Sequence, residues 1–432
     1  MLQGMQERKI NIINTLPIIT MAVLSVVLFC GNVFVVNTSK IVDLICIVSF
    51  PFFNVSGLMM MTAFLIPVNS GITTLYIFGY IAVLLIVKDR KFNLIFLLSL
   101  IAIVAYELVL IAVNAELDVI KFVQYAEVLF LFIYGLTREK LEYKKICYSY
   151  ILGVVILLVA VLATASQTYG FEEVINGEIR IGYNEDFAIH GGAVAFIQDN
   201  ANNIGYYSVL ASTMCVLLAK NAKWAGKTLL WASFVLIVLI AAFTVSRTWL
   251  FLTMAGIVLA VLFGYKGKAK IGVLIALAAI VALVSVLFLS ESAIVESFTG
   301  RLNQIDEDNR GEIALKYLDY LGNNPLVIIF GTGAIDYRLI SGIQESLHFG
   351  FLQILVSYGV FGFGFWMWLM FSPIWKHCVA HGFKIGKLVP VLVVLVFVQT
   401  IQFLNPYVLM LPFMIAVCYM KIPERENPLE AK

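Results

Sequence analysis

The chain has 432 residues, 61% of them hydrophobic and only 13% charged, with a mean hydropathy of +0.96. Soluble globular domains are roughly half apolar, and here uninterrupted apolar stretches of about 20 residues recur from end to end, so composition excludes a soluble fold and indicates a polytopic α-helical membrane protein. The net charge of +2 says nothing about nucleic acid, but no patch interleaves basic and aromatic residues, and no nucleic-acid partner is expected.

The N-terminal stretch "ERKINIINTLPIITMAVLSVVLFCGN" places basic residues before an apolar run, like a signal sequence. Val27, Leu28 and Phe29 are too bulky for cleavage before Cys30, so the stretch reads as an uncleaved first span. The region 41–67 contains Pro51, Asn54 and Gly57 and reads either as one broken helix or as two short ones. Lysine-rich connectors follow at 88–91, 137–145, 220–227, 264–270, 375–387 and 421–432. The positive-inside rule places all six on the cytoplasmic side, which requires an even number of crossings between consecutive connectors. Pairs at 93–113 and 120–136, 228–245 and 248–263, and 388–404 and 406–420 satisfy this. The two remaining intervals each hold two spans around a long polar, outward-facing segment.

The expected organisation is an all-α polytopic membrane protein of 12–14 transmembrane helices with two long outward-facing loops. It divides into N-terminal helices (1–165), a first outer loop (166–203), central helices (204–290), a second outer loop (291–347), C-terminal helices (348–420) and a cytoplasmic tail (421–432). The six cysteines (Cys30, Cys46, Cys147, Cys215, Cys378, Cys418) avoid both outer loops, which argues against a disulfide framework or a paired-cysteine metal site.

One charge interrupts the apolar run from Thr228 to Gly264: Arg247, in "AAFTVSRTWLF". A single helix of that length would measure about 55 Å, far beyond a hydrocarbon core of about 30 Å. Both flanks are cytoplasmic, so the chain turns back near Ser246-Arg247-Thr248, within the outer leaflet. Arg247 either snorkels to lipid phosphates or binds an anionic ligand. The distribution of basic residues favours the ligand. The only arginines in the lysine-rich connectors are Arg90, Arg138 and Arg425, whereas the outward segments and the turn hold Arg180, Arg247, Arg301, Arg310 and Arg338 beside Lys316. Lysine is a compact charge sufficient for anchoring; the arginine fork grips phosphate with two parallel hydrogen bonds. The same loops are rich in Asp and Glu, so ion pairs account for some of these arginines.

In the second outer loop, "ESFTGRLNQIDEDNRGE" (296–312) is polar. "IALKYLDYLGNNP" (313–325) places Ile313, Tyr317, Leu318 and Leu321 at helical spacing, which predicts a short interfacial helix stopped by Gly322, Asn323 and Pro325. A glycine turn then leads back into the membrane with His348 at the threshold. A histidine titrates near neutrality and there either acts as a base or stands idle at the interface. Asp306 and Asp308 have the spacing of a calcium loop, but Arg310 and Tyr317 occupy positions that need oxygen ligands, so the loop fails as a metal site. His190, His377 and His381 do not form a ligand set. No Walker loop or dinucleotide fingerprint occurs, and no cofactor is expected.

Taken together, Arg301 in "GR", Arg310, an amphipathic helix, "NNP", "GTG" and "SLHFGFLQILVSYGVFG" resemble the O-antigen ligase and polysaccharide repeat-unit polymerase superfamily. "SRTWLFLTMAGIVL" looks like that family's Ser-Arg turn, and "DNANNIGYYSVLASTMCVLL" like its Asn-rich entry after the first outer loop. The resemblance covers about residues 165–370. Phe349 departs from it, standing where many members carry Asn.

The resemblance implies a glycosyltransferase at the outer face of the bacterial cytoplasmic membrane. Its substrate would be an undecaprenyl-pyrophosphate-linked oligosaccharide, met within membrane lipid, and a flippase and a chain-length regulator of the same pathway would be partners. Arg247 is then the expected pyrophosphate ligand, supported by Arg180, Arg301 and Arg310. His348 is the acceptor-activating base, with Glu345 as its substitute, and Asn200 and Asn203 bind sugar hydroxyls. Polymerase and ligase share these residues. A transporter remains the third class, although it would be expected to show internal repeats and mid-membrane charges; none repeats here, and Asp43, Glu107 and Glu127 are the main charges within spans.

Overall fold

The computed structural model describes residues 2–34, 36, 38–68, 85, 88, 93–114, 118–175, 181–182, 200–267, 270–274, 309–335, 337–404 and 407–423. Among them every regular element is helical: α1 (Leu2–Val33), α2 (Ser39–Ser49), α3 (Val55–Leu65), α4 (Leu94–Asn114), α5 (Val119–Thr137), α6 (Tyr143–Tyr169), α7 (Phe171–Ile175) and α8 (Ala201–Ala219). There follow α9 (Trp224–Ala242), α10 (Arg247–Gly264), α11 (Arg310–Asn323), α12 (Pro325–Phe330), α13 (Tyr337–Ser341), α14 (Gly350–His381), α15 (Ile385–Val398) and α16 (Leu411–Met420). Seven helices are long and apolar enough to cross a membrane, and three shorter apolar helices cover Val55–Leu65, Ile385–Val398 and Tyr407–Met420. The chain is an all-α, multi-pass membrane protein.

The ambiguous 41–67 region is two helices. Pro51 sits in a 3-10 turn, Phe50–Phe52, and has no N–H to continue α2. Asn54 then caps α3, its side chain accepting from the Gly57 N–H at 2.7 Å. Every residue from Gly57 to Leu65 is buried, and α3 ends against the middle of α6, where Gly153 leaves room for the Phe64 carbonyl.

The described residues of the six lysine-rich connectors gather at one end of the bundle. Lys421 Nζ donates to the carbonyls of Leu136 (2.6 Å) and Arg138 (2.9 Å), and Lys387 Nζ donates to the Ile422 carbonyl. Tyr265 donates to the Val216 carbonyl at 2.7 Å, and Gly386 packs on the Phe263 carbonyl. The Glu142 N–H reaches Ser56 Oγ (3.2 Å) beside Pro51, whose carbonyl accepts from Lys88 (2.7 Å). The outer-loop residues that are described gather at the opposite end. There Gln167 donates to the Val33 carbonyl at 2.6 Å, and the Ile181 N–H donates to Phe243 at 3.0 Å.

The predicted interfacial helix is α11, ending at Asn323. Ile313, Tyr317 and Leu321 form its buried face, against Tyr337, Leu347 and Val356. Leu318, expected on that face, is instead 48% exposed. Positions 313, 317 and 321 drift slowly round a 3.6-residue helix, whereas 318 is turned about 100° from 317.

Candidate active site

The predicted turn between α9 and α10 lies at Phe243–Ser246. Thr244 closes it by donating to the Ala241 carbonyl at 2.7 Å, and the Phe243 carbonyl accepts from Ile181 of the first outer loop at 3.0 Å. Val245 is forced to φ +47°, a region that costs a β-branched residue on the order of 1–3 kcal/mol. Ser246 then caps α10, accepting from the Trp249 N–H at 3.4 Å while donating to Asn202 Oδ1 at 3.3 Å. Arg247 is the first residue of α10 and is half-buried.

The Asn-rich entry forms the start of α8. Asn200 is its cap, accepting from the Asn202 N–H at 2.8 Å, and Asn203 lies half-buried in the first turn. Gly205 brings α8 against α10: a Cβ there would meet Trp249 Cβ at 3.0 Å and Ser246 Oγ at 3.5 Å. The same glycine faces the Phe397 ring at 3.6 Å, and Tyr206 packs on Phe397 with centroids 5.2 Å apart.

Phe397 is one of the last residues of α15, and the turn that follows it carries the rest of the site. Arg310 donates to the Thr400 carbonyl at 3.1 Å, tying the start of α11 to this turn. Gly350, the first residue of α14, packs on Val398 and Phe403. Gln353 Oε1 accepts from the Phe403 N–H (2.7 Å) and the Leu404 N–H (2.9 Å). His348, half-buried, stands two residues before Gly350. The C-terminal turn of α15 is thus a hub, with the Arg247 turn and the Asn-rich cap on one side and Arg310 and the His348 segment on the other. The helices α8, α10 and α14 all begin at this end, presenting the positive poles of their dipoles.

The segment before His348 is strapped down by α11 and α13. Tyr317 donates to the Glu345 carbonyl at 3.0 Å, the Tyr337 hydroxyl accepts from the Leu347 N–H at 3.3 Å, and Arg338 donates to Ser346 at 3.2 Å. Burial raises the Tyr337 phenol above its ordinary range, which suits a neutral hydroxyl in that role. Lys316 pairs with the Glu345 carboxylate at 2.5 Å, and this hydrogen bond holds the Glu345 carboxyl below the usual range, making it a poorer proton acceptor. Arg180 and Arg301 lie outside the described residues. No group of three or more His, Cys, Asp or Glu among the described residues could hold a metal ion. Sequence reading missed Asn202, Gln353, Tyr317 and Tyr337. Gln353, a lone amide in the apolar start of α14, was the one with a visible signal.

Residues 232–367 match the family model described as O-Antigen ligase. The matched stretch runs from within α9 to the middle of α14 and so takes in Arg247, Arg310, Glu345 and His348, consistent with the O-antigen ligase and polymerase superfamily. Its members are membrane glycosyltransferase-like enzymes acting on lipid-linked glycans. No curated protein matches the chain.

Proposed function

We propose that the chain polymerises undecaprenyl-pyrophosphate-linked oligosaccharide repeat units at the outer face of the bacterial cytoplasmic membrane. The observation that carries this reading is the gathering of Arg310, the turn that carries Arg247 and the segment that carries His348 around one helix terminus, at the end of the bundle away from the lysine-rich connectors. A sugar hydroxyl of one chain attacks the anomeric carbon of the other. The bond from that carbon to the pyrophosphate oxygen breaks, the electron pair leaves with the lipid diphosphate, and His348 takes the hydroxyl proton. The departing diphosphate gains charge as the bond breaks, and preorganised cations in a low-dielectric setting stabilise it more than they stabilise the bound substrate. Arg247 supplies that charge, with Arg310 and, from the loops, Arg180 and Arg301. Asn200 and Asn203 bind sugar hydroxyls. A flippase delivering the substrate and a chain-length regulator are the expected partners.

The second reading, favoured by the family model's own description, is transfer of a finished glycan to a different acceptor. Purified protein given only the lipid-linked repeat unit separates the two: a polymerase yields a ladder of products, and a ligase yields none until an acceptor is added. Arg247→Ala should leave expression intact and abolish long polymer. Wild-type chain lengths in that variant would remove Arg247 from the site.

A further inference from the structure

Glu107 lies fully buried in α4, a helix whose neighbouring positions Leu108 and Val109 face outward. A carboxylate in an apolar span is costly and persists only with strong partners. Its partners here include the Tyr358 hydroxyl and backbone amides 227 and 228 residues further along. The Ala334 N–H donates to Oε1 at 2.9 Å and to Oε2 at 3.1 Å, and the Ile335 N–H donates to Oε1 at 3.2 Å.

These amides belong to the irregular segment Gly331–Ile335, whose remaining N–H groups are also satisfied. Gly331 donates back to Val327 at 2.8 Å, Thr332 to the Val356 carbonyl at 3.0 Å and Gly333 to the Ser357 carbonyl at 2.8 Å. The two α14 carbonyls are open because that helix is interrupted at Gly359, at φ +60°. Tyr106, next to Glu107, donates to the Phe330 carbonyl at 2.8 Å. Irregular backbone beside membrane spans is tolerated only where its polar groups are met by protein, and here one carboxylate and one broken helix meet the four N–H groups from Thr332 to Ile335. Gly333 permits the approach: at φ +95° it leaves 3.1 Å between a would-be Cβ and Glu107 Oε1.

The clamp leads to the site. Two residues beyond Ile335 stands Tyr337, whose hydroxyl accepts from Leu347, the residue before His348. We infer that Glu107 is a positioning residue for the transfer reaction: it fixes residues 331–335 so that the strap from Tyr337 to Leu347 presents His348 at the hub, without itself touching substrate. What His348 does there rests on the function proposed above; the clamp rests on the hydrogen bonds alone. A carboxylate suits it because both oxygens only accept, whereas a glutamine would aim an NH2 at an incoming N–H.

The test compares wild type, Glu107→Gln and Glu107→Asp, purified in lipid nanodiscs, by amide hydrogen exchange and by steady-state transfer from a lipid-linked repeat unit. In Glu107→Gln, exchange should accelerate across 331–348 while α8 and α15 stay protected. Its kcat should fall about a hundredfold, as expected for a misplaced catalytic group, with KM within about threefold. Glu107→Asp, which keeps the charge, should recover part of both. Unchanged exchange in Glu107→Gln overturns the clamp, and faster exchange with wild-type kcat overturns its link to His348. Lost kcat with unchanged exchange would instead put Glu107 in contact with substrate, also overturning the inference. If wild type itself transfers nothing, the exchange result still decides the clamp, and the proposed function fails separately.

Discussion

Arg247 and Val245 show how a single charge is placed at the end of an apolar helix pair. The turn is held by Thr244 and Ser246 from within and by Ile181 from the first outer loop, and that network keeps Val245 in a conformation it would not choose. The existence of the turn was legible in the sequence from span length and a Ser-Arg-Thr triplet, although it falls at Phe243–Ser246 and leaves Arg247 and Thr248 in the helix that follows. The strain was not, since no local pattern marks a valine for the left-handed region. His348 and Glu345 present a choice that pH decides. A histidine base must be neutral, so kcat/KM should decline on the acid side, and His348→Gln should lose most activity together with that limb. A Glu345 base, with its carboxyl held low by Lys316, would sustain activity into distinctly more acid solution. Replacing Lys316 by methionine lets the Glu345 carboxyl rise towards its usual range. An acid limb that moved upward in Lys316→Met would transfer the base role to Glu345; an unmoved limb is the expected result.

Among the elements, α12 and α14 form a close seam near the site. Gly331 (φ +79°) lies against the carbonyl of Ser357, and Gly359 (φ +60°) lies against the carbonyl of Ile329, so each backbone occupies the space a side chain would need on the other. Alanine at Gly359 meets both a conformational cost of about 1–3 kcal/mol and the Ile329 backbone. Gly359→Ala should therefore lower the thermal unfolding temperature by several degrees and reduce transfer. Gly364→Ala, five residues along the same helix with nothing within 4 Å of a would-be Cβ, should change neither. Equal stability of the two variants would show that the interruption of α14 is not held by α12. The sequence "SYGVFGFGF" offers three glycines with equal claim to the break. Only the partner carbonyl distinguishes Gly359, which is why the kink was not foreseen, while the α2–α3 break, marked by Pro51 and a capping Asn54, was at least suspected. Leu318 failed for a related reason: apolar spacing finds a helix more surely than it finds the edge of its buried face.

At the scale of the whole molecule, lysine predominates at one end and the arginines proposed for the site stand at the other. Lys421 and Lys387 reach carbonyls at helix ends around the lysine-rich pole, work for which a compact ammonium suffices. Arg247 and Arg310 stand at the other pole, around the terminus of α15. That the poles are opposite was readable from lysine counts and parity; which residues meet at the arginine pole was not, because contacts such as Arg310 with Thr400 join segments 90 residues apart. The arrangement makes a firm demand on topology. Single cysteines replacing Lys223, Lys266 or Lys384 should resist a membrane-impermeant thiol reagent applied to intact cells and react after lysis. Cysteines replacing Lys316 or Gly342 should react in both. The half-buried native Cys30 and Cys378 are first changed to serine, the four others being buried. Labelling of Lys384→Cys in intact cells, or protection of Lys316→Cys, would turn the arginine pole towards the cell interior. A lipid diphosphate substrate presented on the outer leaflet could not then reach Arg247, and the transfer reaction would have to be assigned to the opposite face or abandoned.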